Sequence, residues 1–129
     1  LLFFTVSVDP YGIELWKSDG TESGTTMVRD INSGTPSSTP LNLFSYHGKL
    51  YFSAEDETGE RGLWQSDGTE AGTVKLTDLY PGLPRDSAEE LIGVNNLLYF
   101  VANDGSTGLE LWALDIYSNI LYLPVVLKQ

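Results

Sequence analysis

The chain has no cysteine and a single histidine, His47. Without thiols there are no disulfides, thiolate zinc sites, iron–sulfur clusters or cysteine nucleophiles. One imidazole leaves no histidine cluster for a metal or a catalytic triad. Basic side chains are scarce as well: seven Lys and Arg stand against 18 Asp and Glu, giving a formal charge of −11 and a pI near 4.2. That charge repels nucleic-acid phosphates and anionic bilayer surfaces, so nucleic acid is not expected as a partner. Long apolar runs are missing too. The longest, Leu1 to Val8 and Ile120 to Leu127, fall far short of the roughly 20 residues that span a bilayer, and no membrane insertion is expected. The chain begins at Leu1 with neither Met nor a charged leader, which raises the expectation of a cut end, made by maturation or by excision from a longer protein.

What is present suits a folded core. Apolar residues make up 41% of the 129, including 12 Phe and Tyr and three Trp, too many for a disordered acidic tail. The most informative feature is self-similarity. Ile13-Glu14-Leu15-Trp16, Gly62-Leu63-Trp64 and Leu109-Glu110-Leu111-Trp112 place their Trp residues 48 positions apart, twice. Leu2-Phe3-Phe4, Leu50-Tyr51-Phe52 and Leu98-Tyr99-Phe100 keep the same spacing, and residues 17–64 match residues 65–112 at 18 of 48 positions.

Within one period the punctuation is regular. Leu41 to Tyr46 and Lys49 to Glu55 are apolar runs split by His47-Gly48, which predicts a hairpin because Gly tolerates positive φ. A polar loop from Asp56 to Arg61 leads to a third strand, Gly62 to Ser66, and after an Asp-Gly-Thr turn Thr73 to Leu79 alternates as a fourth. Nothing predicts a helix. Asn32 to Pro40 and Tyr80 to Ser87, rich in Pro, Gly and Ser, are expected connectors between repeats. Four short antiparallel strands in 40 to 50 residues is the pattern of a β-propeller blade. Strands such as Leu50-Tyr51-Phe52 and Leu98 to Ala102 are apolar on both faces, as in a sheet sandwiched between neighbours. The expected fold is therefore all-β: propeller-like blades of four antiparallel strands in a 48-residue repeat. The 129 residues form one module with a partial blade over 1–31, a blade over 41–79 and a C-terminal capping blade over 89–127. About 2.7 repeats are too few for a ring, since propellers close with 4 to 8 blades, so completion by other polypeptide is expected.

The segment Glu14 to Thr25 reads Glu-Leu-Trp-x-x-Asp-Gly-Thr-x-x-Gly-Thr, and Gly62 to Thr73 repeats it with Gly in place of Glu. This resembles the ELWxxDGT repeat family of large bacterial surface and secreted proteins, over residues 1 to about 112. The resemblance implies propeller-like repeats in an exported, extracellular or cell-surface protein, with no catalytic residues to carry over. Its signature falls on Trp16, Asp19, Gly20, Thr21 and Gly24, on Trp64, Asp67, Gly68, Thr69 and Gly72, and on Trp112 and Asp115. The third copy departs from it: after Trp112 it keeps Asp115 but loses both Gly-Thr pairs, as a terminal repeat would. Ile120 to Gln129 then forms a last strand, with Pro124 suited to an edge.

Each candidate site has a structural alternative. Asp19 with Glu22, and Asp67 with Glu70, could offer oxygen ligands to Ca²⁺, but an Asp before Gly commonly accepts from the N–H groups of its own turn, and the turn role is preferred. Asp56, in the acidic run Glu55-Asp56-Glu57, and its repeat mate Asp104 are further calcium candidates, although the Asp-x-Asp-x-Asp-Gly spacing of an EF-hand loop is absent. No resident cofactor is expected; calcium is kept as an alternative. The three Trp residues could stack on glycans, yet one repeat position inside an apolar strand points to an inter-blade core. Paired carboxylates are the only catalytic chemistry this composition allows, and no nucleophile, P-loop or dinucleotide motif occurs, so the protein is not expected to be an enzyme. The expected role is a structural, assembly or adhesion module, part of a larger protein, oligomer or filament. It would pair with a protein partner or its own copies through exposed strand edges. A calcium- or glycan-binding module is the alternative.

Overall fold

The computed structural model describes residues 1–78, 89–103 and 108–122. Among them there is no helix. Eleven strands run β1 (Leu2–Val8), β2 (Gly12–Ser18), β3 (Thr26–Arg29), β4 (Leu41–Tyr46), β5 (Lys49–Glu55), β6 (Arg61–Ser66), β7 (Val74–Asp78), β8 (Glu89–Val94), β9 (Leu97–Asn103), β10 (Leu109–Asp115) and β11 (Leu121–Tyr122). They form three antiparallel sheets in the orders β1-β2-β3, β4-β5-β6-β7 and β8-β9-β10-β11, here sheets 1, 2 and 3. The described strands close no barrel or ring. The connector Tyr80 to Ser87, Asp104 and the part of the expected final strand beyond Tyr122, Pro124 included, lie outside the described residues.

The 48-residue period is a period of backbone geometry. Phe4 pairs with Trp16, Phe52 with Trp64 and Phe100 with Trp112 across the central hairpin of each sheet. Register shifts recur one period apart, between Leu15 and Trp16 and between Leu63 and Trp64. They recur again between Leu41 and Phe44 and between Glu89 and Ile92. The positive-φ residues Asn42 and His47 of sheet 2 return as Glu90 and Asn95 of sheet 3. At the β4-β5 hairpin His47 (φ 49) and Gly48 (φ 74) are both left-handed, the requirement of a two-residue turn whose twist matches its strands. By this register β1-β2-β3 correspond to β5-β6-β7. Among the described residues sheet 1 has no counterpart of β4.

Two cores follow from strand alternation. On one face of sheet 2, Leu50, Phe52, Ala54 and Trp64 pack against Leu15 and Val28 of sheet 1, with Phe3 joining them. On the other face, Tyr51 and Leu63 pack against Leu98, Phe100, Ala102, Trp112 and Leu114 of sheet 3. Strand β5 is accordingly buried at Leu50 to Ala54 on both faces. Trp64 Nε1 donates to Ala54 O at 3.2 Å, and Trp112 Nε1 repeats the bond to Ala102 O at 3.2 Å. This satisfies an indole that a core position otherwise penalises.

Two expectations change at the ends. Strand β9, read as apolar on both faces, is buried only on alternate residues: Leu98, Phe100 and Ala102 face sheet 2, while among the described residues no further sheet covers Tyr99 and Val101. Trp16, read as inter-blade core like the other two, is only half-buried and belongs to neither core. Its Nε1 is shielded but finds no acceptor.

Sheets 2 and 3 come closest at their first strands. The Tyr46 ring of β4 lies where any side chain at Gly93 of β8 would have to go, and its hydroxyl donates to Asn95 O at 2.9 Å. Among the described residues β4 against β8 is the one close backbone approach between strands of different sheets. Their later strands touch through side chains only.

Candidate functional site

The Asp-Gly-Thr turns are built twice, bond for bond. In the first, Asp19 Oδ1 accepts from Thr21 N at 2.9 Å and Thr21 Oγ1 at 2.7 Å. Thr21 Oγ1 in turn accepts from Gly24 N at 2.9 Å, and Thr25 Oγ1 donates to Thr21 O at 2.6 Å. Ser18 Oγ closes the network, 2.7 Å from Thr25 Oγ1, while accepting from Gly20 N at 3.0 Å. The second turn has Asp67 Oδ1 on Thr69 N (2.9 Å) and Oγ1 (2.6 Å), Gly72 N on Thr69 Oγ1 (2.9 Å) and Ser66 Oγ 2.8 Å from Thr73 Oγ1. The second Gly of the motif is required by space: a Cβ at Gly24 or Gly72 would fall on the carboxylate of Asp19 or Asp67. The Thr hydroxyls, helped by the backbone N–H groups, hold both Asp carboxyls below the usual range.

Asp115, which stands where the other copies have Asp19 and Asp67, keeps the same work without Gly-Thr. Its Oδ1 accepts from Tyr117 N at 2.9 Å and Ser118 N at 3.1 Å, and its Oδ2 from Asn96 Nδ2 at 2.8 Å. The backbone donors Ser118 and Tyr117 lower its pKa. Glu22 and Glu70 contribute their carbonyl oxygens, to Thr25 N and Thr73 N at 3.2 Å each. Asp56 of the acidic loop pairs with Lys75 Nζ at 2.7 Å and accepts from Thr58 N at 2.9 Å. Burial works against its charge, but the Lys75 ammonium and the Thr58 donors outweigh burial and hold its pKa down to about 2. Of the calcium candidates, then, Asp19, Asp67 and Asp56 are engaged by donors of their own loops, and Asp104 lies outside the described residues. Among the described residues no three Asp, Glu, His or Cys side chains come together to hold a metal ion.

A buried carboxylate that the sequence did not single out is Glu14, fully enclosed on β2. Its Oε1 accepts from Ser38 N at 2.9 Å and Asn32 N at 3.4 Å. Its Oε2 accepts from Ser38 Oγ at 2.5 Å and Ile31 N at 3.1 Å. Both ends of the connector from β3 to β4 are thus tied to one side chain. Burial pushes its pKa up against the pull of Ser38, Ile31 and Asn32. Nearby Ser38 O accepts from Glu55 N at 2.8 Å, so the connector is tied to sheet 2 as well.

Two further cations join sheets 1 and 2. Arg29 of β3 stands 5.8 Å over the Trp64 ring and donates through Nη1 to Thr73 O at 2.6 Å. Lys17 Nζ donates to Gly68 O at 2.6 Å, reaching the second Asp-Gly-Thr turn. Between the sheets Arg29, Ile31, Asp56, Glu57, Thr58, Trp64 and Lys75 line an open groove of about 330 Å³. Its Trp64 ring, capped by Arg29, is not a bare platform for a sugar, and its Lys75 and Asp56 are paired with each other. Of the residues singled out from sequence, Trp64 and Asp56 meet here, with Lys75 as the partner of Asp56; Trp16, Trp112 and the three turn Asp residues are dispersed, one set per sheet. The burial of Glu14, known from the sequence only as the first residue of its motif, and the placing of Arg29 over Trp64 carried no signal, because a charged side chain in a strand reads as solvent-facing.

No family model, no curated protein and no solved structure matches this chain.

Proposed function

We propose that the chain is a non-enzymatic structural repeat module of an exported or cell-surface protein, whose sheets are propeller-like blades and whose role is assembly or adhesion. On this reading it works as part of a larger protein or of an oligomer. The observation that carries it is the recurrence at 48 residues of the Phe-Trp pairing register in all three sheets and of the bulges and Asp-Gly-Thr networks in two of them, which is how repeat architectures stack one supersecondary unit on the next. The approach of β4 to β8 while later strands stand apart supports blades that radiate from an inner edge. The resemblance of Glu14 to Thr25 and Gly62 to Thr73 to the ELWxxDGT repeats supports the exported setting. Conserving polar groups for turns and staples, rather than converging them in a cleft, is what a scaffold requires.

The test is the mass of the native material in dilute solution. The reading expects a species above 14.2 kDa, from a longer chain or from association. A 14.2 kDa monomer that also ignores cell-surface polysaccharide would contradict it. Calorimetric titration with millimolar calcium separates the alternative: saturable heat would make the module a calcium binder first.

A further inference from the structure

Both ends of the stack present half of an interface that the interior completes twice. Inside, the face bearing Leu50, Phe52, Ala54 and Trp64 meets the face of sheet 1 bearing Phe3 and Leu15. One period on, the face bearing Leu98, Phe100, Ala102 and Trp112 meets the face of sheet 2 bearing Tyr51 and Leu63. By register, the first kind of face recurs on the outside of sheet 1 as Leu2, Phe4, Val6 and Trp16, since Phe3 and Leu15 point the other way. The second kind recurs on the outside of sheet 3 as Tyr99 and Leu111, flanked by Ile92 and Val94. Each is more exposed than its interior equivalent: Phe4, Val6, Trp16 and Tyr99 are half-buried where Phe52, Ala54, Trp64 and Tyr51 are buried, although Glu14, opposite Val6 on the sheet 1 face, stays enclosed by its connector. Leu2 is 63% exposed against 5% for Leu50, and Leu111 is 39% exposed against 0% for Leu63.

We infer that these two faces belong together across a contact between two copies of the chain. The outside of sheet 3 on each copy covers the outside of sheet 1 on the other. The occupant follows from the repeat: among the described residues the face that meets a Leu-Phe-Ala-Trp surface is both times an aromatic ring beside a Leu, Phe3 with Leu15 in one case and Tyr51 with Leu63 in the other. Matching like with like, Trp face on Trp face, has no precedent in the molecule. Two copies supply six sheets, within the 4 to 8 blades at which propellers close, so the association ends at a dimer with both ends buried. This rests on the blade reading above. With −11 on each copy the contact forms against charge repulsion and is driven by apolar burial, so added salt strengthens it.

The experiment is sedimentation velocity of the 129-residue chain and of single-face variants, alone and mixed. Leu2→Arg marks the sheet 1 face and Ile92→Arg the sheet 3 face. Both positions are more than half exposed, so the fold survives, checked by an unchanged circular dichroism spectrum; Val6→Arg and Leu111→Arg repeat the test nearer the centre of each face. The wild type is expected at twice 14.2 kDa. Each variant alone associates at least about 30-fold more weakly, and an equimolar mixture of the two forms a heterodimer through the one interface left intact. If only one variant loses association, the contact is like-on-like and the inference fails. If both still dimerise, docking uses another surface such as the β1 edge, and it fails. An open-ended series of larger species overturns closure at two. A wild-type monomer overturns the inference alone when the native material is larger through other polypeptide, and the assembly role with it when the native material is monomeric too.

Discussion

Replacing Glu14 by Gln tests whether one buried carboxylate holds the first connector. The side chain keeps its size but turns one acceptor oxygen into an NH₂ group. If the NH₂ group replaces Oε1, the bonds from Ser38 N and Asn32 N are lost; if it replaces Oε2, the bond from Ile31 N is lost while the Ser38 hydroxyl turns to accept. New donors then face old donors. Bonds to a charged acceptor contribute roughly 1.5–3 kcal/mol each, while removing a buried charge recovers part of its desolvation, so the net loss is about 2–3 kcal/mol. At an unfolding entropy of roughly 2.1 cal/mol/K per residue, the melting temperature falls by about 10 °C. Glu14→Ala, which strands all four donors, costs about 3–5 kcal/mol. Thermal unfolding gives the size, and amide exchange gives the place: Ile31, Asn32 and Ser38 lose protection while the β5-β6 hairpin keeps it. The pH dependence has a sign of its own. The raised pKa of Glu14 means the native state holds its proton more tightly, an advantage present below the unfolded value near 4.5 and lost as pH rises through the native pKa. Glu14→Gln abolishes that decline. A variant within about 0.5 kcal/mol of wild type, with the three amides still protected, would refute the reasoning.

Other perturbations have equally specific outcomes. Gly72→Ala forces the Asp67 carboxylate out of its turn and costs about 1–3 kcal/mol in chemical denaturation, whereas Ala71→Gly, an exposed neighbour, stays within about 1 kcal/mol. Asp56 has a lowered pKa of about 2, so its share of stability is present above pH 3.8 and lost as pH falls through 2. Discounted for solvent, that share is roughly 1 kcal/mol, and an acid titration of Asp56→Asn lacks it. Trp64→Ala and Trp112→Ala, each removing a buried indole bonded to a carbonyl, lose about 3–5 kcal/mol. Trp16→Ala, half-buried with no acceptor, loses less than about 2 kcal/mol when unfolding is followed at high dilution.

Much of the architecture was legible because the same apolar pattern returns at one spacing. The hairpin at His47-Gly48 and the strands on either side of it follow from turn chemistry and apolar runs, which are local. Strand ends moved by a residue or two, as where the third strand of sheet 2 starts at Arg61 rather than Gly62, because hydrogen bonding and not side-chain character decides them. The turn role of Asp19 and Asp67 was legible for the same local reason. Glu14 was not, since its burial depends on a connector 17 to 24 residues away in sequence. Nor could the pattern of Leu98 to Ala102 tell that only one face is covered: an apolar face records a capacity to pack, and the neighbour must come from elsewhere.

The account holds that sheet 1 is a copy of sheets 2 and 3 without its first strand, and amide exchange along β1, β5 and β9 tests this most directly. Strands β5 and β9 have partners on both sides, so nearly every amide outside the register shifts is protected. Among the described residues strand β1 pairs with β2 alone, and in an antiparallel ladder with one free side alternate amides point to water. The prediction is a two-residue alternation of fast and slow exchange from Leu2 to Val8, absent from Lys49–Glu55 and Leu97–Asn103. Uniform protection along β1 equal to that of β5, or alternation in β5 itself, would contradict it.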